Sequence, residues 1–264
     1  MRETESLVTL ARKYCIDNIN HWETRYKNER SGQEIPYSYS SNDYDLFPRC
    51  NVLRAIFDNV GFLVESGISA TECKSKLVVI GQTAGTFDEL QNEVSIKAIQ
   101  DERDKFTTFI NAISPDDIAN VEPLFHARRL SQSEVENIEK KLHEIYDYDG
   151  HWIPIGTQSP AKAVWVHHTD LTPTEVEGLL SVIREKAKKR QFEIKEDGIN
   201  YEIEIESMDI TGYETTYCDD TYEWILYSSH ENTVAFGGTW LISEVEKIFS
   251  VKNEKLHYYN SFSE

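Results

Sequence analysis

Through the first 115 residues, hydrophobic positions recur at helical spacing. Leu7, Leu10, Ala11, Tyr14, Ile19, Trp22 and Tyr26 share one stripe. That stripe predicts a long first helix, ended by Gly32. Residues 36–45 form a Tyr/Ser/Asn-rich stretch that reads as a loop. A second helix from about Pro48 turns Val52, Leu53, Ile56, Phe57, Val60 and Leu63 inward, and Gly67 stops it. Ser69 and Glu72 have capping-box spacing and open a third. A fourth covers residues 93–113, with Ile99, Phe106, Phe109, Ile110 and Ile113 inward, until Ser114-Pro115-Asp116-Asp117 breaks it.

After residue 117 the pattern changes. Leu130-Ser131-Gln132-Ser133-Glu134-Val135 and Leu171-Thr172-Pro173-Thr174-Glu175-Val176 carry the same N-cap chemistry, a Ser or Thr with Glu three residues on. They predict helices over 132–146 and 173–190. Strand candidates are 151–155, 163–167, 192–195, 201–208, 222–228 and 233–236, with residues 229–232 turning the last two into a hairpin. A helix over 240–249 closes the pattern. In Ile199-Asn200-Tyr201-Glu202-Ile203-Glu204-Ile205-Glu206, apolar and acidic residues alternate with period two, as in a half-buried strand. Tyr201, Ile203 and Ile205 then face a core. Glu202, Glu204 and Glu206 stand in a row on the other face, roughly 6.8 Å apart. The expected fold class is α+β: a helical domain over residues 1–117, then an α+β domain over 118–264 with a mainly antiparallel sheet.

Charge sharpens this picture. Residues 196–246 hold thirteen acids and no Lys or Arg, −13 of the chain's −19. Such a field repels nucleic-acid phosphates and anionic membranes and attracts basic proteins. No apolar run approaches a membrane span of about 20 residues, and the N-terminus lacks signal-peptide regions. Cys15, Cys50, Cys73 and Cys218 are scattered, with no CxxC pair. A reducing cytoplasm is the expected compartment.

The expected binding residues are Glu202, Glu204, Glu206, Asp209, Glu214, Asp219, Asp220 and Glu223, with Tyr213, Tyr217 and Trp224 as aromatic anchors. The plain alternative is that cations from neighbouring strands neutralise the row. Arg128 and Arg129, placed in a loop, are available to pair with it. A second reading is a metal-dependent hydrolase or nuclease using His167, His168, Asp170, His230 and Glu231. Adjacent strand residues point to opposite faces, so His167 and His168 reach one ion only if the strand ends between them. Ser228-Ser229-His230-Glu231 offers hydroxyl, imidazole and carboxylate in series, but triads are assembled in space rather than from neighbours in a turn. No nucleophile elbow or phosphate-binding Gly-rich loop is present. No cofactor is called for. A third reading is a nucleic-acid mimic, in which the carboxylate row stands in for phosphates and blocks a defence enzyme.

Trp224 to Glu231, followed by Thr233, Phe236, Gly237 and Gly238, resembles the terminal hairpin of small acidic bacterial proteins. Some of these are immunity partners of polymorphic toxins. Upstream, Pro123, Arg129-Leu130-Ser131, Glu134 and Trp152-Ile153-Pro154 are similar to the same group. The resemblance covers residues 120–250. It implies a non-enzymatic protein that neutralises a basic partner such as a nuclease-type toxin, and it supplies no catalytic residues.

Overall fold

The computed structural model describes residues 2–30, 43–85, 92–150, 152, 162–196, 198–250 and 252–258. Its fold class is α+β. The chain divides into two compact units, Met1–Leu124 and Phe125–Glu264.

The first unit contains α1 (Glu3–Arg30), α2 (Asp43–Val60), α3 (Ala70–Thr83), α4 (Glu93–Ala112) and α5 (Pro115–Asn120), and no strand among its described residues. Leu7, Ala11 and Cys15 of α1 meet Val52, Ile56 and Val60 of α2, Cys73 and Leu77 of α3, and Ile99, Phe106 and Ile110 of α4. Helix α2 starts at Asp43, five residues before the proline that suggested its beginning. Pro48 has no N–H for the carbonyl of Tyr44. The buried Ser95 hydroxyl of α4 donates to that carbonyl instead, at 2.9 Å. The loop expected over 36–45 lies outside the described residues up to Asn42, and its last three residues are helical. Ser69 caps α3 by accepting from the Glu72 N–H. Ser114 and Asp117 form a full capping box that opens α5 where only a break was expected.

Among its described residues, the second unit has an eight-stranded sheet and three α-helices. Its elements are β1 (Ala127–Arg129), α6 (Gln132–Tyr146), β2 (Ala163–His167), α7 (Pro173–Lys186), β3 (Arg190–Lys195), β4 (Tyr201–Glu204), β5 (Thr215–Cys218), β6 (Ile225–Ser229), β7 (Thr233–Gly237), α8 (Thr239–Ile248) and β8 (His257–Tyr258). The strand order is β1-β4-β3-β5-β6-β7-β2-β8, and every pairing is antiparallel. Both capping boxes form, Ser131 with Glu134 and Thr172 with Glu175. Helix α7 stops at Lys186, short of the expected 190: the Lys188 N–H turns to the Asp219 carboxylate, and Arg190 opens β3. Of the strand expected at 151–155, only Trp152 lies among the described residues.

Register sorts the side chains. Ile194, Thr216, Tyr227, Ala235 and Trp165 lie across from one another in a row over five strands. Ile194, Tyr227 and Ala235 pack with Val135, Ile138 and Leu142 of α6. Tyr217, Leu226, Phe236 and Val164 form the row on the opposite face, and all four are buried. Along that face the segment after β4 runs as a strap, with Ile205, Met208 and Ile210 buried and Asp209, Thr211 and Tyr213 exposed. Among the described residues, no helix is long and apolar enough to cross a membrane.

Candidate functional site

The alternation in β4 gives the expected faces. Tyr201 and Ile203 are buried, and Glu202 and Glu204 stand on the other side. Their charges are locally answered. One Glu202 carboxylate oxygen lies 3.1 Å from the Arg128 guanidinium, 3.1 Å from the His126 ring and 3.7 Å from Arg190. Glu204 meets the Lys189 ammonium at 2.9 Å and accepts the His126 backbone N–H at 3.1 Å. The Lys189 bond, helped by that N–H, holds the Glu204 carboxyl below its usual range although partial burial pushes the other way. Arg128 comes from β1, a strand where a loop was expected. The row also ends early. Residues 205–207 leave the strand in a 3-10 turn, and Glu206 departs from the line of Glu202 and Glu204. A ladder of phosphate-like carboxylates therefore has two members, both compensated.

Three further expected contact residues are closed to solvent. Tyr217 and Trp224 are buried, so they pack the fold and present no anchor. Asp219 is also buried and organises its own turn, accepting from the Lys188 and Thr221 backbone N–H groups and from the Thr221 hydroxyl. Burial pushes its carboxyl up, but these bonds outweigh burial and hold it below the ordinary value. Glu206, Asp220 and Glu223 are exposed near the end of the sheet where β3 begins, with Lys188 3.8 Å from Asp220.

The other end of the sheet gathers acids that no Lys or Arg answers. There β3 ends, β5 begins and β6 turns into β7. The Glu196 N–H donates to the Glu214 carbonyl at 3.1 Å, joining the first two strand ends. Glu214 bonds the Nδ1 of His230, whose Nε2 lies 3.9 Å from Glu231. Glu196 approaches the Tyr227 hydroxyl at 3.5 Å. Burial, then the Glu196 charge, pushes that hydroxyl up to about 12. Tyr213 precedes Glu214 in sequence and is 64% exposed. Asp209, exposed on the strap, accepts the Thr211 N–H and hydroxyl. Among the described residues, Glu196, Asp209, Glu214 and Glu231 form no ion pair with Lys or Arg. No family model, curated protein or solved structure matches this chain. The rim therefore has to be read from its own chemistry. It is an anionic edge with one exposed aromatic ring, suited to holding a cationic surface.

This rim mixes residues from two separate expectations. Asp209, Tyr213 and Glu214 were binding candidates, His230 and Glu231 metal candidates, and Glu196 belonged to neither set. The metal candidates themselves stay apart. His168 turns to Ser228, Asp170 pairs with Lys255 at 2.7 Å, and His230 sits between Glu214 and Glu231. Among the described residues, none of His167, His168, Asp170, His230 and Glu231 belongs to a set of three donor atoms within 4.8 Å of one another.

His168 fixes the strap beside the rim. Its Nε2 lies 3.0 Å from the Oγ of buried Ser228, and its ring meets that of Tyr213 at 6.1 Å. Burial pushes His168 below its ordinary value, against the opposing pull of the Asp209 charge and the Thr233 carbonyl. The fold thus favours the neutral ring. A group depressed in this way supports the fold above the unfolded value near 6.5 and loses that support as pH falls below it. Urea midpoints taken between about pH 8 and pH 5.5, above the ordinary carboxylate range, should fall on acidification. His168→Gln should flatten the fall, and an unchanged slope would contradict the assignment.

Proposed function

We propose that this is a non-enzymatic binding protein that neutralises a cationic protein, in the manner of an immunity protein acting on a basic toxin. The observation that carries the reading is the Glu196/Glu214/Glu231 rim with exposed Tyr213, unanswered by Lys or Arg while Glu202 and Glu204 are compensated. An unbalanced field at one place speeds encounter with a basic partner and makes the rate fall with salt. Exposed ion pairs add little net affinity. A ring such as Tyr213 supplies the desolvated contact that charge does not. The resemblance of residues 120–250 to acidic immunity proteins supports the same reading and gives the partner its class. A reducing cytoplasmic setting fits four buried free thiols, with Cys50 and Cys73 each pushed up to about 11 by burial.

The test is capture of the product of an adjacent toxin-like reading frame, with unrelated basic proteins as controls, at low and high salt. The intact protein should retain that one partner, less so at high salt. Changing Glu196, Glu214 and Glu231 together to Gln should weaken capture and remove most of its salt dependence. Tyr213→Ala should weaken it at every salt concentration. If the triple variant behaves as the parent, the rim is not the contact surface. Capture of all the basic controls alike would reduce the reading to non-specific charge.

A further inference from the structure

Among the described residues, two histidines of the second unit have ring nitrogens with no hydrogen-bond or ion-pair partner. His167 ends β2 and His257 opens β8, the two-residue strand at the sheet edge. Register places His257 opposite Trp165, so His167, two residues along β2, shares its face. The His257 ring stacks on Trp165 at 4.1 Å, and His167 packs edge-on against the same indole at 4.9 Å. The two imidazole centres are 5.8 Å apart. His126, His143, His168 and His230 each have a hydrogen-bond or ion-pair partner. His167 and His257 have none among the described residues.

We propose that His167 and His257 form a binding site for a borderline divalent transition-metal ion, with copper(II) the strongest ligand. The separation fits. An imidazole nitrogen binds such an ion at about 2.0–2.1 Å, so two rings on one ion have centres up to roughly 6.5 Å apart. Imidazole suits copper, nickel and zinc, and copper(II) heads the affinity order. Trp165 contacts both rings, His257 by stacking and His167 edge-on, which limits the rotamer freedom that coordination must remove. Water completes the coordination. Bound metal would staple β8 to β2, adding to the two-residue strand pairing, the His257–Trp165 stack and the Tyr258–Glu246 hydrogen bond, and would stabilise the fold by mass action. The sequence grouped His167 with His168, Asp170, His230 and Glu231; the structure sets His257, from the far end of the unit, beside it instead.

Untagged full-length protein, stripped with chelator, is titrated with copper(II) and followed by electron paramagnetic resonance and tryptophan fluorescence. The expected result is one equivalent bound by two imidazole nitrogens, quenching of Trp165, and a slower hydrogen exchange at β8. His167→Gln and His257→Gln should each remove one nitrogen from the spectrum and weaken binding. Trp165→Phe should reduce the quench while the two-nitrogen signal persists, which separates reporting from coordination. Zinc(II) should compete. A double His167→Gln/His257→Gln variant that keeps the parent's copper spectrum and affinity would overturn the proposal, as would single variants that lose no nitrogen. Circular dichroism of the variants should match the parent, because His167 is exposed at the end of β2 and His257 is only partly buried on the edge strand β8.

Discussion

Arg49→Met is expected to destabilise the first unit by about 3 kcal/mol or more, the cost of leaving a buried charge without its main partner. Glu102 is 0% exposed on α4, and its carboxylate meets the Arg49 guanidinium at 2.7 Å. Arg49 also reaches Asp45 one turn back at 2.8 Å and Asp101 at 3.3 Å, and it lies over the Trp22 ring at 4.9 Å. One side chain therefore joins α1, α2 and α4. After the substitution only Lys105, half exposed, still reaches Glu102, at 2.8 Å. Urea unfolding followed through Trp22 measures the cost. The double variant Arg49→Met/Glu102→Met removes the stranded charge with its partner, and it should recover much of the loss. A cost below about 1 kcal/mol, the value of an exposed ion pair, would mean that water reaches Glu102.

Helix starts were legible because capping is local chemistry. Ser131 with Glu134 and Thr172 with Glu175 need only a spacing of three, and the structure contains both boxes. Alternation in 201–204 was legible because one face of β4 is buried and the other is not. Strand β5 escaped for the opposite reason. Thr215, Thr216, Tyr217 and Cys218 are all buried, so no polar face marks a period of two. Strands β1 and β8, of three and two residues, are too short for any period to register. Pro48 misled because its lost hydrogen bond is made good by Ser95, which is remote in sequence and near in space.

The site was legible as charge and illegible as geometry. Counting acids locates the field in residues 196–246. It does not show that Arg128, Lys189 and Arg190 lie beside Glu202 and Glu204, because those cations come from β1, from the segment before β3 and from β3 itself. Nor does it show that Glu196, Glu214 and Glu231 meet, since each sits at a different strand end and only the order β3-β5-β6-β7 brings those ends together. Burial removed Tyr217 of β5 and Trp224, just before β6, from the surface: large aromatic rings in and beside the strands fill the core.

Gly238→Ala should be the most damaging small substitution in the second unit, costing roughly 2–6 kcal/mol as backbone strain and overpacking add. Gly238 joins β7 to α8 with φ +94° and ψ 135°, a conformation that residues with a Cβ rarely adopt. A Cβ there would lie 2.2 Å from the Glu223 carbonyl oxygen and 2.8 Å from the Trp224 Cα. Both are backbone atoms, so no rotamer change relieves the contact. Relief requires moving the segment before β6, which buries Trp224 and starts the hairpin leading to the rim. Gly150 supplies the control within the same unit: its φ is +77°, but a Cβ there meets nothing within 4 Å. Gly150→Ala should therefore cost only the backbone term, about 1–2 kcal/mol. Urea unfolding of both variants separates the two penalties. If Gly238→Ala costs no more than Gly150→Ala, the close approach of Glu223 to Gly238 is not a constraint on the fold.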